Sequence, residues 1–330
     1  MTTLEVKNIL QQNNFISKYK TIILVSAKVI IALGLLIYLI YAVNFQEILS
    51  AIKEANVYLI VTAFLLSIVN IYLQFYKWKI TANVVLREHH NSKIWLSLFY
   101  GFSAGVFTPA RIGEYFGRAI VFKNKSLLQV TLATLLDKLF LLLIVAFFGS
   151  ISSILFIHYH YHVTFYVTIG LFILVFALLY LFFWLIFNDR FWENVFFTKI
   201  RESIKLHWLF EKIKVFRKLD KKYATKMFAV SFLFYVCFLL QYAILVAAFS
   251  NQYNFSDYIW AGNLMMFAKT IIPPVSLGEL GIREGASIFF ITQLGESAST
   301  GFNASIFLFF INVLILSLIG MTLLFKKNDD

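Results

Sequence analysis

The sequence predicts an all-α polytopic integral membrane protein, and three observations support this fold class. The 330 residues are 60% hydrophobic, with a mean hydropathy of +0.79, whereas soluble domains are about 45–50% apolar. Several apolar runs reach the ~20 residues that an α-helix needs to cross a bilayer core. The basic residues concentrate in alternate loops, which is typical of the cytoplasmic side of membrane proteins.

Six apolar runs have the length of transmembrane helices. They cover residues 22–43, 57–76, 126–157, 163–187, 226–249 and 303–325. At 1.5 Å of rise per residue, each is long enough for a hydrocarbon core of about 30 Å. We therefore expect a single transmembrane domain over residues 1–330.

Two further apolar regions are interrupted by polar residues, and their pieces are too short to cross. The first covers 94–107 and is followed by a charged, glycine-containing break. The second comprises 258–272 and 286–294, on either side of a similar break. We interpret each region as a re-entrant helical hairpin, because irregular backbone at membrane depth requires burial in protein or a wet cavity. The expected hairpin-breaking residues are Pro109, Gly113, Pro273, Pro274, Gly278 and Gly281.

The charge distribution orients the predicted spans. Lysine and arginine total 29 against 17 aspartates and glutamates, a net charge of +12, and basic loops stay in the cytoplasm. With both termini cytoplasmic, the loops at 44–56, 158–162, 250–257 and 295–302 are external and contain one lysine between them. The basic amphipathic segment 188–225 then faces the anionic headgroups of the inner (cytoplasmic) membrane. Nucleic acid is not an expected partner.

The two breaks also match each other in sequence. A constant separation of 165 residues relates Pro109 to Pro274, Gly113 to Gly278, Glu114 to Glu279 and Arg118 to Arg283. Three predicted spans separate the hairpins, so the second hairpin enters from the opposite face. This predicts an inverted repeat with halves at about 22–157 and 163–325, an arrangement found in many transporters.

Three motifs resemble those of the lysylphosphatidylglycerol synthase transmembrane region, also called the flippase-like domain family. They are Thr108-Pro109-Ala110-Arg111-Ile112-Gly113-Glu114 with Arg118, then Asp137-Lys138, then Ser276-Leu277-Gly278-Glu279-Leu280-Gly281-Ile282-Arg283-Glu284-Gly285. Two positions depart from the family pattern: Glu279 replaces a common glycine, and Lys138 replaces a common arginine.

The resemblance implies a lipid-translocating membrane module. In bifunctional members the module carries aminoacylated phosphatidylglycerol, which a separate cytosolic domain makes from aminoacyl-tRNA. The sequence ends at Asp330, soon after the sixth predicted span, so lysyl transfer is not expected. Free-standing relatives are linked to other lipids, including sugars carried on polyprenyl phosphate.

The charges inside the predicted hairpins and third span are the candidate binding site. Each central charge costs about 2.5–3.5 kcal/mol on an insertion scale, so a partner must compensate it. Arginine forks and the N-terminal end of a restarting helix both suit phosphate oxygens. We expect a phosphate-headed or otherwise anionic membrane lipid to bind through Arg111, Glu114, Arg118, Asp137, Lys138, Lys269, Glu279, Arg283 and Glu284.

A purely structural role for these charges remains an alternative. Arg118–Glu114 and Arg283–Glu279 are each four residues apart, a spacing that allows pairing on one helix surface. Adjacent residues on a helix point in different directions, so the acid and base at positions 137 and 138 are expected to have different partners. Lys269 is expected either to reach the interface or to help bind anions.

Two other classes of function stay open alongside translocation. The first is a membrane-embedded lipid-modifying transferase, which needs a poised acid or base such as Glu114 or Glu284. The second is a non-transporting scaffold that recruits a synthase or glycosyltransferase through segment 188–225. The sequence contains no nucleotide loop, zinc motif or nucleophile elbow, so we expect no catalytic activity, cofactor or metal.

Overall fold

The part of the chain that the structure describes is helical throughout, without a β-strand. The computed structural model describes residues 45–106, 108, 111–187, 221–272 and 280–326, together with positions 37 and 41. The first predicted span, apart from positions 37 and 41, and residues 188–220 of the basic segment lie outside the described residues. So do five predicted break or site positions, namely Pro109, Pro273, Pro274, Gly278 and Glu279.

The helices are numbered here in chain order. They are α1 (Phe45–Lys53), α2 (Val57–Thr81), α3 (Asn91–Val106), α4 (Gly113–Val121), α5 (Leu127–His160), α6 (Phe165–Phe187), α7 (Lys221–Ser250), α8 (Phe255–Ile271), α9 (Ile282–Gln293), α10 (Ala298–Phe309) and α11 (Ile315–Lys326). A π-helical turn extends α2 over Ala82–Leu86, and another joins α10 to α11 over Phe310–Leu314.

Four helical stretches within the described ranges are long and apolar enough to span a membrane. They are Val57–Leu86, Leu127–His160, Lys221–Ser250 and Ala298–Leu324. They correspond to the second, third, fifth and sixth predicted spans. The prediction of an all-helical integral membrane protein is therefore confirmed.

The second predicted span is longer in the structure than in the sequence analysis. The sequence places Lys77 in the loop after that span, and this prediction is wrong, because α2 continues to Thr81 and its π-helical turn to Leu86. Lys77 is buried, with its ammonium 3.7 Å from the Asp137 carboxylate. The nearby carboxylate explains why a lysine is tolerated inside an apolar helix.

Helix α7 lies at the centre of the described fold. Its apolar window is 72% buried, against 17% for the window that starts at Val57, so α2 shows far more surface to lipid. The two helices are antiparallel: the Asn56 amide donates to the Ala248 carbonyl at 2.9 Å, and the Thr81 and Tyr223 hydroxyls are 3.1 Å apart at the other end. Helices α5, α8 and α10 complete the surroundings of α7.

Helices α3 and α4 form a tight helical hairpin. A Cβ atom on Gly113 would lie 2.1 Å from the Ala104 carbonyl oxygen, and one on Gly117 would lie 2.2 Å from that of Tyr100. The later glycine of α4 faces the earlier residue of α3, so the two helices are antiparallel. The Thr108 hydroxyl accepts from the Gly113 amide at 2.7 Å within the turn. Gly113 is thus the first residue of α4, where it permits close packing.

Helices α8 and α9 form the second pair of short helices, and they also pack on each other. Gly281 precedes α9 with a φ of 88°, a conformation that favours glycine. The short segments predicted at 94–107, 258–272 and 286–294 match α3, α8 and α9 to within a few residues.

The helices of the two chain halves agree in order and in neighbours. The two short-helix pairs begin 164 residues apart, with α3 starting at Asn91 and α8 at Phe255. Helix α3 packs on α11, and its counterpart α8 packs on α5. Likewise α4 packs on α5 as α9 packs on α10. Related halves of one chain are expected to share neighbours in this way.

Candidate functional site

Six charged side chains converge where the first hairpin packs against α2 and α5, and they are called here the first cluster. They are Lys77 of α2, Arg111, Glu114 and Arg118 of the hairpin, and Asp137 and Lys138 of α5. Four of the six are at most 5% exposed. The α3–α4 packing brings these residues together, because Gly113 and Gly117 allow the charged face of α4 to approach α3 closely.

Arg118 is the centre of the first cluster. Its guanidinium donates to Glu114 Oε1 at 2.6 Å and to Asp137 Oδ2 at 3.1 Å. It also lies over the Trp78 ring at 4.3 Å. Two carboxylates and an aromatic face hold this guanidinium on different sides, so its position is set by the protein.

Glu114 connects this buried centre to a more open edge. Its second oxygen, Oε2, is 2.8 Å from the Lys138 ammonium and 3.6 Å from the Arg111 guanidinium. The Lys138 and Arg111 side chains are 34% and 19% exposed, against 4% for Glu114. The two accessible cations of the first cluster are therefore held by one carboxylate oxygen.

The first cluster carries more positive than negative charge. Its four basic side chains face two carboxylates, a formal excess of two positive charges. Within the described part of the chain, the buried Nε atoms of Arg111 and Arg118 have no hydrogen-bond partner, and neither do the carboxylate oxygens Glu114 Oε2 and Asp137 Oδ1. The excess positive charge at this buried site favours an anionic ligand.

A second cluster forms at the start of α9. The Arg283 guanidinium donates to Ser305 through Nε at 3.0 Å and to Glu284 Oε1 through NH2. Glu284 Oε2 accepts from the Gly281 amide at 2.5 Å. Arg283 also lies over the Phe309 ring, 4.9 Å from its centroid. Both charged side chains are at most 3% exposed, so this cluster is closed and locally compensated.

Comparison with family models identifies the chain. The model of the lysylphosphatidylglycerol synthase TM region matches residues 25–320. The chain belongs to this family. The family is a membrane domain linked to lipid flipping or modification. Comparisons with curated proteins and with solved structures find no match.

Two of the three motifs that carry the family resemblance meet in the first cluster. As the sequence analysis predicts, Asp137 and Lys138 have different partners, Arg118 for the aspartate and Glu114 for the lysine. Both residues therefore pair with hairpin charges across the α4–α5 interface. Where Lys138 replaces the common arginine of the family, its single ammonium reaches Glu114 at 2.8 Å.

The predicted Arg283–Glu279 pair stays a prediction, because Glu279 lies outside the described residues. Among those residues, Arg283 contacts Glu284 and Ser305. Among the described residues, no salt bridge joins Arg283 to the first cluster. Lys269 is half-buried on α8, with its ammonium 5.4 Å from the Phe238 ring centroid. A single lipid site that joins both hairpins stays a prediction.

Sequence reasoning missed Lys77, although a signal for it exists. Ser67, Asn70, Gln74 and Thr81 share its helix face, at spacings of three and four residues in an otherwise apolar helix. A polar stripe of this spacing predicts a buried protein-facing side, with Lys77 as part of it. This stripe shows that helix α2 continues past the predicted span end.

Proposed function

We propose that this protein is a lipid translocase that moves a phosphate-headed lipid across the cytoplasmic membrane. The lipid class includes aminoacylated phospholipids and polyprenyl-phosphate-linked glycans. The observation that carries the proposal is the excess of two positive charges in the first cluster, together with the exposure of Arg111 and Lys138 at its edge. A buried, partly accessible cationic site suits a phosphate headgroup.

An exchange of anions describes how the first cluster would work. Glu114 Oε2 lies within 4 Å of both the Lys138 ammonium and the Arg111 guanidinium. A phosphate oxygen can take the place of that carboxylate oxygen, because the same two cations are its natural partners. Arg118 keeps its contacts to Asp137 and to Glu114 Oε1 during the exchange and positions Glu114. Lys77 supports Asp137 from α2.

The proposed architecture has six transmembrane helices and two re-entrant hairpins, related as an inverted repeat. Two geometric facts support it. Helices α2 and α7 hold equivalent places in the two halves, and they run antiparallel. A two-fold axis that relates antiparallel spans lies in the membrane plane, as in inverted-repeat transporters. Arg283 and Glu284 in the second hairpin are proposed to bind the same headgroup during the opposite half of the cycle.

The proposed orientation keeps both termini on the cytoplasmic side of the inner membrane, where the basic loops face anionic lipids. Membrane lipids are the proposed partners. A partner synthase or glycosyltransferase that supplies or consumes the lipid is compatible with this role. The proposal assigns no catalytic residue to the chain.

The test is lipid scrambling in reconstituted vesicles, with fluorescent phosphatidylglycerol and a fluorescent polyprenyl phosphate in separate experiments. The double variant Arg111→Gln with Lys138→Gln removes the accessible cations. Each charge-assisted hydrogen bond is worth about 1.5–3 kcal/mol, so the rate should fall by about tenfold or more. The matched control, Lys123→Gln with Lys125→Gln, removes two lysines from the α4–α5 loop.

Equal rates for the double variant, the control variant and the unmodified protein would refute the exchange mechanism. Protein that moves neither lipid, but converts one of them with a soluble donor into a new product, would favour the lipid-modifying transferase. Both outcomes are readable on one preparation, because thin-layer chromatography of the vesicle lipids detects the product while fluorescence quenching follows translocation.

A further inference from the structure

A second cationic site lies away from the first cluster, in an open cavity of about 380 Å³. The cavity is bounded by the end of α2 with its π-helical turn on one side and by the start of α7 on the other. Three lysine side chains line it, Lys79 from α2 and Lys222 and Lys226 from α7, with Tyr76 and Tyr223 between them. It is called here the lysine cavity.

Among the described residues, the lysine cavity contains positive charge without a compensating acid. No carboxylate of the described residues lies within 4 Å of the Lys79, Lys222 or Lys226 ammonium groups. Two of these lysines lie on the first described turns of α7, which contain no acidic residue. The three lysines give one cleft a positive charge, which an anion bound among them would offset.

The cavity wall is held in place by specific backbone and side-chain geometry. Asn83 and Val84 of the π-helical turn form part of it, and such turns are frequent at functional sites. Tyr223 is 3% exposed, and its hydroxyl lies 3.1 Å from that of Thr81. This contact ties α7 to α2 beside the cavity, while the Lys222 and Lys226 side chains are exposed.

An apolar track leads away from the cavity along the surface of α2. Tyr76 at the cavity is followed along the helix by the exposed side chains of Tyr72, Val69 and Leu65, at the spacing of one helix face. These side chains are 38–57% exposed. A headgroup in the cavity thus has a hydrophobic surface beside it that suits an acyl chain, which distinguishes a lipid from free phosphate.

We propose that the lysine cavity binds the phosphate of an anionic membrane lipid, whose acyl chain lies along the α2 track. The lysines contact the phosphate oxygens, and Tyr76 lies at the level where the headgroup meets the chain. Tyrosine is enriched at this level of membranes because one end of its ring is polar. The site is separate from the first cluster and does not require that the protein translocate lipid.

The experiment measures lipid binding to the full purified chain in zwitterionic nanodiscs, with added phosphatidylglycerol as the probe. The triple variant replaces Lys79, Lys222 and Lys226 with glutamine. We expect phosphatidylglycerol to raise the melting temperature of the unmodified protein, with an apparent affinity at least about tenfold weaker in the triple variant. If the triple variant does not fold, single variants Lys226→Gln and Lys226→Arg are compared instead. The apparent affinity for phosphatidylglycerol should then be weaker in the glutamine variant than in the arginine variant.

A matched control removes three lysines that do not line the cavity, namely Lys123, Lys125 and Lys221. If this control weakens binding as much as the triple variant, attraction is diffuse and the proposal is wrong. Phosphatidylcholine or inorganic phosphate producing the full effect would also overturn it. The Arg111→Gln, Lys138→Gln variant separates the two sites, because a melting-temperature shift that persists in this variant and is lost in the triple variant belongs to the lysine cavity.

Discussion

The contact between α3 and α4 predicts a large loss of stability for Gly117→Ala. An alanine Cβ at this position would lie 2.2 Å from the Tyr100 carbonyl oxygen and 2.9 Å from the Ala104 Cβ. An ordinary contact is about 3.4 Å, so the arms of the hairpin must separate by about 1.2 Å. The nearest atoms belong to backbone, and a side-chain rotation cannot relieve the clash.

The magnitude follows from two effects of that separation. Overpacking alone costs about 1–3 kcal/mol, toward the upper end where backbone must move. The displaced helix also carries Arg118, so the shift disturbs the geometry of its 3.1 Å hydrogen bond to Asp137. Weakening a buried ion pair lowers the stability further. Replacing a helical glycine by alanine raises helix stability by about 1 kcal/mol, which offsets part of this loss. We expect a net destabilisation of about 3 kcal/mol or more.

The assay is denaturant unfolding of the purified chain in detergent micelles. Gly170→Ala is the matched control, because a Cβ at this position of α6 has no heavy atom within 4 Å. The control should be neutral or more stable by up to about 1 kcal/mol. If the two alanine variants differ by less than about 0.5 kcal/mol, the close backbone contact, and with it the reasoning about the hairpin, is refuted.

Three further predictions concern other described residues. Asp137→Asn should destabilise the protein by about 3 kcal/mol, because it leaves the buried Lys77 without its acidic partner. Adding Lys77→Met removes that unpaired charge and should recover part of the lost stability. Thermal melting that shows no recovery in the double variant would contradict the prediction. Asn56→Ala should cost about 1 kcal/mol in denaturant unfolding, because its side chain caps α2 by accepting from the Tyr58 and Leu59 amides; an unchanged midpoint would refute this. Burial raises the pKa of Glu88, but hydrogen bonds from the His90 ring and amide outweigh this effect and lower the pKa to about 2. The stabilisation by the Glu88 carboxylate is therefore complete above its unfolded pKa near 4.5 and is lost as the pH falls toward 2. Parallel stability curves for the wild type and a Glu88→Gln variant over this interval would contradict the prediction.

The sequence by itself determined the membrane class, the approximate helices and five of the six residues of the first cluster. Hydropathy and length are local properties, so α5, α7 and both short-helix pairs could be predicted without tertiary information. Glycine, proline and charge in a short apolar region indicate a break for the same local reason. The charged motif residues Glu114, Arg118, Asp137 and Lys138 also meet in one cluster, as the resemblance implies.

Only the tertiary structure decided which charges pair and which remain accessible. The sequence sets how residues are arranged around one helix, but the register between helices depends on packing. Here the Gly113 and Gly117 contacts set the position of α4 against α3, and this brings Arg118 to Asp137. The burial of Lys77 required the same information, since its compensating acid is 60 residues away in sequence. The lysine cavity likewise depends on α2 and α7, which are distant along the chain and adjacent in space.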